Sequence, residues 1–280
     1  MQYLLLLLLF VSTWANSASF MPENTMHLNP PEAVSDMTEE EFVKIVDDIV
    51  AFYAPEATRL GKTLVSSKLW SNNTVNAYAT QLGNTWKVAM FGGLARRPEV
   101  TADGFALVVC HELGHHFGGY PLYRGEWAST EGNSDYWATQ ACARRVWATD
   151  ASKNRDALDD VDEHAKARCD ESWASIEDRN LCYRIANGSY GLAKLLSRGG
   201  NQPEFDTPDE TVVIVTNPRH PKGQCRLDTY FAGALCKVSH RDDFITGRFN
   251  PNGQDGIFAE HEALANSCTN RPKCWFKSLL

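Results

Sequence analysis

Three histidines and one glutamate lie within the stretch HELGHH, at positions 111 to 116. An α-helix turns by about 100° per residue, so His111 and His115 would share one face and His116 would be rotated away from it. Two imidazoles four residues apart on a helix are typical of zinc sites with the pattern His-Glu-x-x-His. The sequence therefore predicts zinc ligands at His111 and His115, with Glu112 as a general base acting on a water molecule. Surface histidines on a core helix are the alternative.

A third zinc ligand is expected from the next helix, since a catalytic zinc ion takes three protein ligands and leaves one position for water. Glu131 opens that predicted helix, and Asp135 follows one turn later on the same face. We predict that Glu131 binds the ion and that Asp135 accepts the second N–H of a ligating imidazole, which would fix its tautomer. Glu126 is an alternative ligand. The two acidic residues could instead belong to a solvated helix start favoured by the helix dipole.

Two elements before the motif are predicted from their hydrophobic periodicity. Residues 38–55 predict a helix with Thr38 and Glu41 as a capping box, an apolar stripe facing the core, and an end at the closing proline. Residues 75–81 and 86–94 contain runs of period-two alternation on either side of a short turn. They predict an antiparallel β-hairpin directly before the helix that carries HELGHH, which we call the metal helix.

The metal helix is predicted to begin after Thr101, an N-cap residue, and to end at Gly118 or Gly119. Residues 150–197 are highly charged and predict further helices, while residues 210–217 predict a strand or a short extended segment. This order of elements predicts an α+β fold, in which a small antiparallel or mixed sheet lies beside a mainly helical body that carries the metal helix.

Composition and charge are those of an ordinary globular protein. The chain has 280 residues, 43% of them hydrophobic, and a formal net charge of -8. No strongly basic block is present, which argues against a nucleic-acid partner.

The N-terminus carries an apolar run followed by small residues, which predicts a secretory signal peptide cleaved between Ala15 and Ser19. An uncleaved anchor is the alternative, and no later stretch is long and apolar enough to span a membrane. We therefore expect a secreted or periplasmic protein without a stable membrane span. The predicted organisation is a signal peptide at 1–18, a flexible lead-in at 19–36, one domain with the metal motif at 37–245, and a loop-rich tail packed on it at 246–280.

Eight cysteines, an even number behind a signal peptide, predict disulfide bonds and an oxidising compartment. Short separations favour three pairs, with two cysteines left over on predicted helices. The favoured pairs are Cys169–Cys182, Cys225–Cys236 and Cys268–Cys274, and Cys110 and Cys142 either pair or stay buried as thiols.

The ordered motifs resemble a known family. HELGH followed by EGNSD is similar to the gluzincin zinc metallopeptidases, and within them to the M48 type, the HtpX/Ste24-like peptidases. NAYATQLGNTWKVAMFGGLARR resembles the strand segment that precedes the metal helix in that family, and TNPRHPKGQCR resembles its later His-Pro element. The resemblance covers about residues 75–230 and implies a zincin-like fold with one catalytic Zn2+.

The resemblance also implies roles for individual residues. Glu131 would be the third zinc ligand, and Asp135 would orient His111. His220 and Arg226 would lie near the active site and stabilise the oxyanion of a tetrahedral intermediate, with Tyr230 as a less favoured donor. Taken alone, a histidine before a proline is typical of a loop. The strand that carries NAYATQ, or its partner, would bind an extended substrate by edge pairing.

These observations predict a zinc-dependent endopeptidase, acting as a monomer on protein or peptide substrates. Two alternatives remain. One is a zinc-binding chaperone-like or latent protein without hydrolysis, although the glutamate at position 112 argues against a purely structural site. The other is a zinc amidase that acts on cell-wall cross-links.

Overall fold

The computed structural model describes residues 26–29, 34–123, 127–197, 200–237 and 271–277. The predicted signal peptide, most of the predicted lead-in and most of the predicted tail lie outside these ranges, and the predicted domain boundaries stay predictions. Within the described ranges, no helix has both the length and the apolar character needed to cross a membrane.

A helical body and one small sheet make up the described part of the chain, which is the predicted α+β class. The helical elements, in chain order, are α1 (Glu39–Arg59), α2 (Gly92–Ala95), α3 (Ala102–Phe117), α4 (Glu131–Trp137), a π-helical segment (Ala138–Ala143), α5 (Arg144–Val146), α6 (Ala151–Asp156), a 3-10 turn (Ala157–Asp159), α7 (Glu163–Ser172), α8 (Ile176–Leu196) and α9 (Gly223–Ala234). The helices predicted between residues 150 and 197 are thus confirmed, whereas the sequence patterns do not predict α9.

The sheet has the strand order β1-β3-β2 among the described residues. Its strands are β1 (Thr63–Leu69), β2 (Ala77–Leu82) and β3 (Thr85–Phe91). The predicted hairpin is confirmed, because β2 and β3 pair antiparallel around Gly83, which has a φ of 57°. β1 pairs parallel with β3 and makes the sheet mixed. The two serines and the lysine of β1 weaken its alternation of apolar side chains, so the sequence alone does not predict this strand.

Helix α1 begins where its capping residue predicts, because Thr38 accepts a hydrogen bond from the backbone N–H of Glu41 at 3.1 Å. Its apolar stripe packs into the core. The predicted end at Pro55 is wrong, since the helix continues through the proline to Arg59. A proline inside a helix removes one backbone hydrogen bond at a cost of about 3 kcal/mol. Burial of Tyr53 and Ala57, on either side of it, offsets that cost.

Helix α3 is buried on almost all sides, which places the histidine motif in the core. Thr101 caps it by accepting from Gly104 N at 3.0 Å, as predicted. The helix ends at Gly118, and Gly119 has a φ of 70°, a backbone conformation that favours glycine. Both predicted helix ends are therefore confirmed.

Three disulfides join described cysteines. Cys110–Cys142 ties α3 to the π-helical segment, and Cys169–Cys182 ties α7 to α8 as predicted. The third is Cys225–Cys274, so the predicted pairs Cys225–Cys236 and Cys268–Cys274 are wrong. Helix α9 explains the error, since Cys225 lies near its start and Cys236 just beyond its end. The nine helical steps from Cys225 to Ala234 alone span about 14 Å, far beyond disulfide reach.

Residues 210–217, predicted as a strand or a short extended segment, form no strand. Two backbone hydrogen bonds fasten the segment to residues 271–277: Val213 N donates to Lys273 O at 3.0 Å, and Asn217 N donates to Trp275 O at 2.8 Å. The disulfide Cys225–Cys274 anchors those C-terminal residues to α9. The segment after α8 is thereby held against the rest of the molecule.

Candidate metal centre

The three predicted metal ligands meet inside the molecule. His111 and His115 lie one turn apart on α3, and Glu131 is the first residue of α4. His111 Nε2 lies 3.2 Å from Glu131 Oε2, and His115 Nε2 lies 3.8 Å from Glu131 Oε1. One potential ligand atom from each residue falls within 4.8 Å of the others, and all three side chains are buried. The group could hold a metal ion.

A close crossing of α3 and α4 brings these ligands together. Gly114, inside the motif, lies directly over Ser134, so that a Cβ at position 114 would stand 2.9 Å from Ser134 Cα. Real Cβ atoms show no such contact, and only glycine permits this approach. On the other side of α4, the backbone of Gly132 packs against the Trp275 ring, which holds the helix start in place.

Hydrogen bonds at Nδ1 fix the orientation of both imidazoles. His111 Nδ1 donates to Asp135 Oδ1 at 2.7 Å, and His115 Nδ1 donates to the carbonyl of Ser129 at 2.9 Å. Each Nε2 lies near Glu131, and it is the nitrogen through which a neutral ring with its proton on Nδ1 would bind a metal. Such outer partners set the tautomer and raise the basicity of metal-binding histidines. The predicted contact between Asp135 and His111 is present.

Asp135 is in turn held by an arginine from α9. Arg226 donates from Nε to Asp135 Oδ2 at 2.7 Å and from Nη2 to Oδ1 at 2.6 Å. Arg226 Nη2 also donates to the hydroxyl of Tyr230 at 3.1 Å. Burial acts to raise the pKa of Asp135, but Arg226 and His111 outweigh it and the net shift is downward. The carboxylate therefore stays ionised behind the histidine.

Glu112 lies beside this group with one carboxylate oxygen uncommitted. Its side chain is buried, and its Oε2 forms no hydrogen bond with any described residue. Burial is the main reason that the pKa of Glu112 rises to about 7, and the nearby carboxylate of Glu131 adds to the rise. A buried carboxylate with an open oxygen is suited to take up and release a proton.

Burial and the neighbouring charges act in opposite directions on the pKa values of the ligands. Burial acts to lower the pKa of His111, yet Asp135 and Glu131 together raise it to about 10. Burial acts to raise the pKa of Glu131, but His220, His115 and His111 lower it well below its ordinary value. Burial lowers the pKa of His115 to about 4. The position of His111 between Asp135 and Glu131 thus favours a positive charge there, and this fits the binding of a cation.

His220 reaches the same site from the loop before α9. Its Nε2 lies 2.9 Å from Glu131 Oε2, while 41% of its side chain is exposed. The carbonyl of Pro218 accepts a hydrogen bond from Glu131 N at 3.3 Å, which ties this loop to the start of α4. His220 therefore borders the site on its solvent side. Its predicted contact with an oxyanion stays a prediction.

Arg226 is also brought to the site, but its guanidinium faces Asp135 and the Nδ1 side of His111. These contacts favour a residue that positions a ligand, and the predicted oxyanion role of Arg226 stays a prediction. Tyr230 is buried in the same network. The alternative ligand Glu126 lies outside the described residues.

His116, the third histidine of the motif, points away from the ligands as expected. Its ring stacks between Trp86 and Trp127 at centroid distances of 5.0 and 5.1 Å. Its Nε2 lies 3.2 Å from the carbonyl of Lys87, and its Nδ1 lies 3.3 Å from Gln81 Nε2. His116 therefore joins α3 to β2 and β3.

Sequence reasoning does not identify Ser129 or Trp275, two residues that support the site. Ser129 acts through its backbone carbonyl, so its side-chain type gives no signal. Trp275 is distant in sequence and reaches α4 through a segment held by the Cys225–Cys274 disulfide. Gly114 also holds the two helices of the site together, and its role can be predicted from local sequence. A glycine inside a buried helix suggests close helix packing.

Comparisons with protein-family models, with curated proteins and with solved structures found no match to this chain. The described residues define an α+β protein with a buried His-His-Glu group that could bind a metal ion. The three disulfides that join described cysteines indicate an oxidising extracellular compartment.

Proposed function

We propose that this protein is a zinc-dependent endopeptidase of the gluzincin type, resembling the M48 (HtpX/Ste24-like) peptidases and sharing their zincin-like fold. One observation carries the proposal: His111, His115 and Glu131 converge beside Glu112, a buried carboxylate with an uncommitted oxygen. A site that only holds a metal for stability has no need of that fourth residue, and hydrolysis requires such a base.

The donor set supports zinc. Two neutral imidazole nitrogens and one carboxylate are a common ligand set of catalytic zinc, and they leave one coordination position for water. Asp135 and the carbonyl of Ser129 fix the two imidazoles in the tautomer that binds metal through Nε2. When bound, zinc supplies Lewis-acid chemistry, lowering the pKa of a water molecule and polarising the substrate carbonyl.

Glu112 performs the proton transfer. Its open Oε2 accepts a proton from the attacking water, and the same oxygen then delivers that proton to the nitrogen of the departing amine. The C–N bond breaks as the new C–O bond becomes part of the product carboxylate. His220, on the solvent side of Glu131, is the better placed of the two predicted oxyanion donors, while Arg226 acts through Asp135.

Substrate binding is proposed at β2. This strand forms an edge of the sheet among the described residues, and it packs on the metal helix through Gln81 and His116. An extended peptide can add to such an edge through main-chain hydrogen bonds, which suits proteins and peptides as substrates. We further propose secretion or export to the periplasm by the signal peptide 1–18, and a monomeric enzyme.

Metal content and proteolysis, measured on the same samples, test the proposal. Wild-type protein is expected to contain one zinc ion per chain by mass spectrometry and to cleave denatured casein in a chelator-sensitive manner. Glu131→Ala is expected to lose both zinc and cleavage. Hydrolysis of purified peptidoglycan without casein cleavage would favour the amidase alternative. Tight zinc binding without any hydrolysis would favour the latent or chaperone-like alternative.

A further inference from the structure

An apolar surface lies close to the metal centre. Val212, Ile214 and Val215 are exposed by 66%, 88% and 72%. They belong to one short stretch, residues 211–218, which contains no ionisable side chain. Single exposed apolar residues are ordinary, but three β-branched ones in four positions form a patch, and such patches mark sites of interaction. We call these three residues the valine-isoleucine patch.

The patch is fixed relative to the candidate ligand Glu131. Backbone hydrogen bonds at Val213 and Asn217 attach the segment to residues 273–275, and Pro218 O accepts from Glu131 N at 3.3 Å. Trp275, from the same C-terminal residues, packs on Gly132 next to that ligand. Residues 273–275 therefore contact both the segment that carries the patch and the helix that begins with Glu131.

The chain sets an upper limit on the distance between Val215 and the loop that contacts Glu131. Three residues of chain lead from Val215 to Pro218, which limits their Cα separation to about 11 Å. An extended substrate advances about 3.4 Å per residue. Adding the contact from Pro218 to Glu131 and the length of the glutamate side chain gives a limit of roughly 20 Å. A polypeptide that reaches the ligands can thus lie over Val215 within roughly six residues of the bond to be cleaved.

We propose that the valine-isoleucine patch binds an uncharged, apolar stretch of the polypeptide substrate, a few residues from the scissile bond. This inference rests on the proposed peptidase function. The exposed apolar side chains of the patch match an apolar occupant, and residues 211–218, between Glu210 and Arg219, carry no charge. A second copy of the chain fits less well, because stable dimers bury about 800 Å² per partner, more than three side chains supply.

The test compares peptides and matched variants. Cleavage sites are first mapped in casein, and three peptides are made around one site: a short one, one extended by alternating leucine and valine, and one extended by serine and glycine. Ile214→Ser combined with Val215→Ser is expected to raise KM about tenfold for the apolar extension alone, with kcat unchanged, because two apolar contacts are lost. Ile176→Ser, at a residue exposed by 55% on α8, is the control and should change neither constant.

An equal KM in the double variant and wild type for the apolar peptide would overturn the inference, and so would an equal rise for all three peptides. Fluorescence anisotropy of a labelled peptide that consists of the alternating leucine and valine extension, and needs no mapped cleavage site, separates this result from a failure of the peptidase proposal. If wild type cleaves nothing but binds that peptide about tenfold more tightly than the double variant does, the result supports peptide binding at the patch and contradicts the peptidase proposal. A dimer in sedimentation that the double variant abolishes would identify a second copy as the occupant and overturn the inference.

Discussion

Asp135 accepts the Nδ1 proton of His111 at 2.7 Å, and the same carboxylate accepts two hydrogen bonds from Arg226. The three side chains come from α3, α4 and α9, so the orientation of one candidate ligand depends on the packing of three helices. This relationship, together with the convergence of the ligands, generates predictions that separate metal binding, stability and catalysis.

Asp135→Asn is expected to weaken zinc binding by about 10–100-fold, because outer partners of ligating histidines contribute that much to metal affinity. An amide carries no charge and can present its NH2 group to Nδ1, which would favour the wrong tautomer. Competition with a chromogenic chelator measures the change. Asp170→Asn is the control, because this aspartate accepts a hydrogen bond from Tyr183 and, within the described part of the chain, has no contact with the candidate ligands. Equal zinc affinity in Asp135→Asn and wild type would contradict the assigned role.

Arg226→Met is expected to lower the free energy of unfolding by about 3–5 kcal/mol, since it leaves the buried Asp135 charge without its partner. Urea denaturation of the metal-free protein measures this change. Arg168→Met removes an arginine from an exposed pair with Glu171 and should cost at most about 1 kcal/mol. A similar loss of unfolding free energy in both variants would show that the buried ion pair contributes no more to stability than the exposed one.

Gly114→Ala is expected to separate α3 from α4, because its Cβ would stand 2.9 Å from Ser134 Cα. Overpacking of this kind costs about 1–3 kcal/mol of stability. Zinc affinity should fall as well, since Glu131 moves with α4 while the histidines move with α3. Gly200→Ala, whose Cβ meets only Ser197 O at 3.5 Å, is the control. Unchanged zinc affinity in Gly114→Ala would show that the helix crossing does not set the ligand geometry.

Replacing Cys225 and Cys274 with serine is expected to lower the free energy of unfolding by about 2–4 kcal/mol, the usual contribution of a disulfide. It should also weaken zinc binding, because residues 271–277 support both α4 and the loop with His220. Loss of the Cys169–Cys182 bridge between α7 and α8 should reduce stability but leave zinc affinity unchanged. Equal effects of the two replacements on zinc affinity would argue against this support.

Local periodicity was enough to predict the residues on single elements. The spacing of His111 and His115 follows from one helix, and the hairpin of β2 and β3 follows from alternation across one turn. Glu131 is predictable because its helix begins soon after the motif in sequence.

Contacts between distant segments could not be predicted in the same way. β1 pairs with β3 although β2 lies between them in sequence. Cys225 pairs with Cys274, 49 positions away, because α9 separates it from Cys236. Ser129 contributes only a backbone carbonyl. Such features depend on how elements pack, and the side-chain pattern of one segment does not encode them.

Glu112→Gln tests the central claim most directly, because it keeps the shape of the side chain and removes only its capacity to take up a proton. Zinc content and cleavage of a peptide substrate are measured on the same preparation, with wild type alongside. We predict one zinc ion per chain in both proteins and a fall in kcat of about 10²–10⁴-fold in the variant. A zinc-loaded Glu112→Gln protein that cleaves the peptide at the wild-type rate would contradict the account.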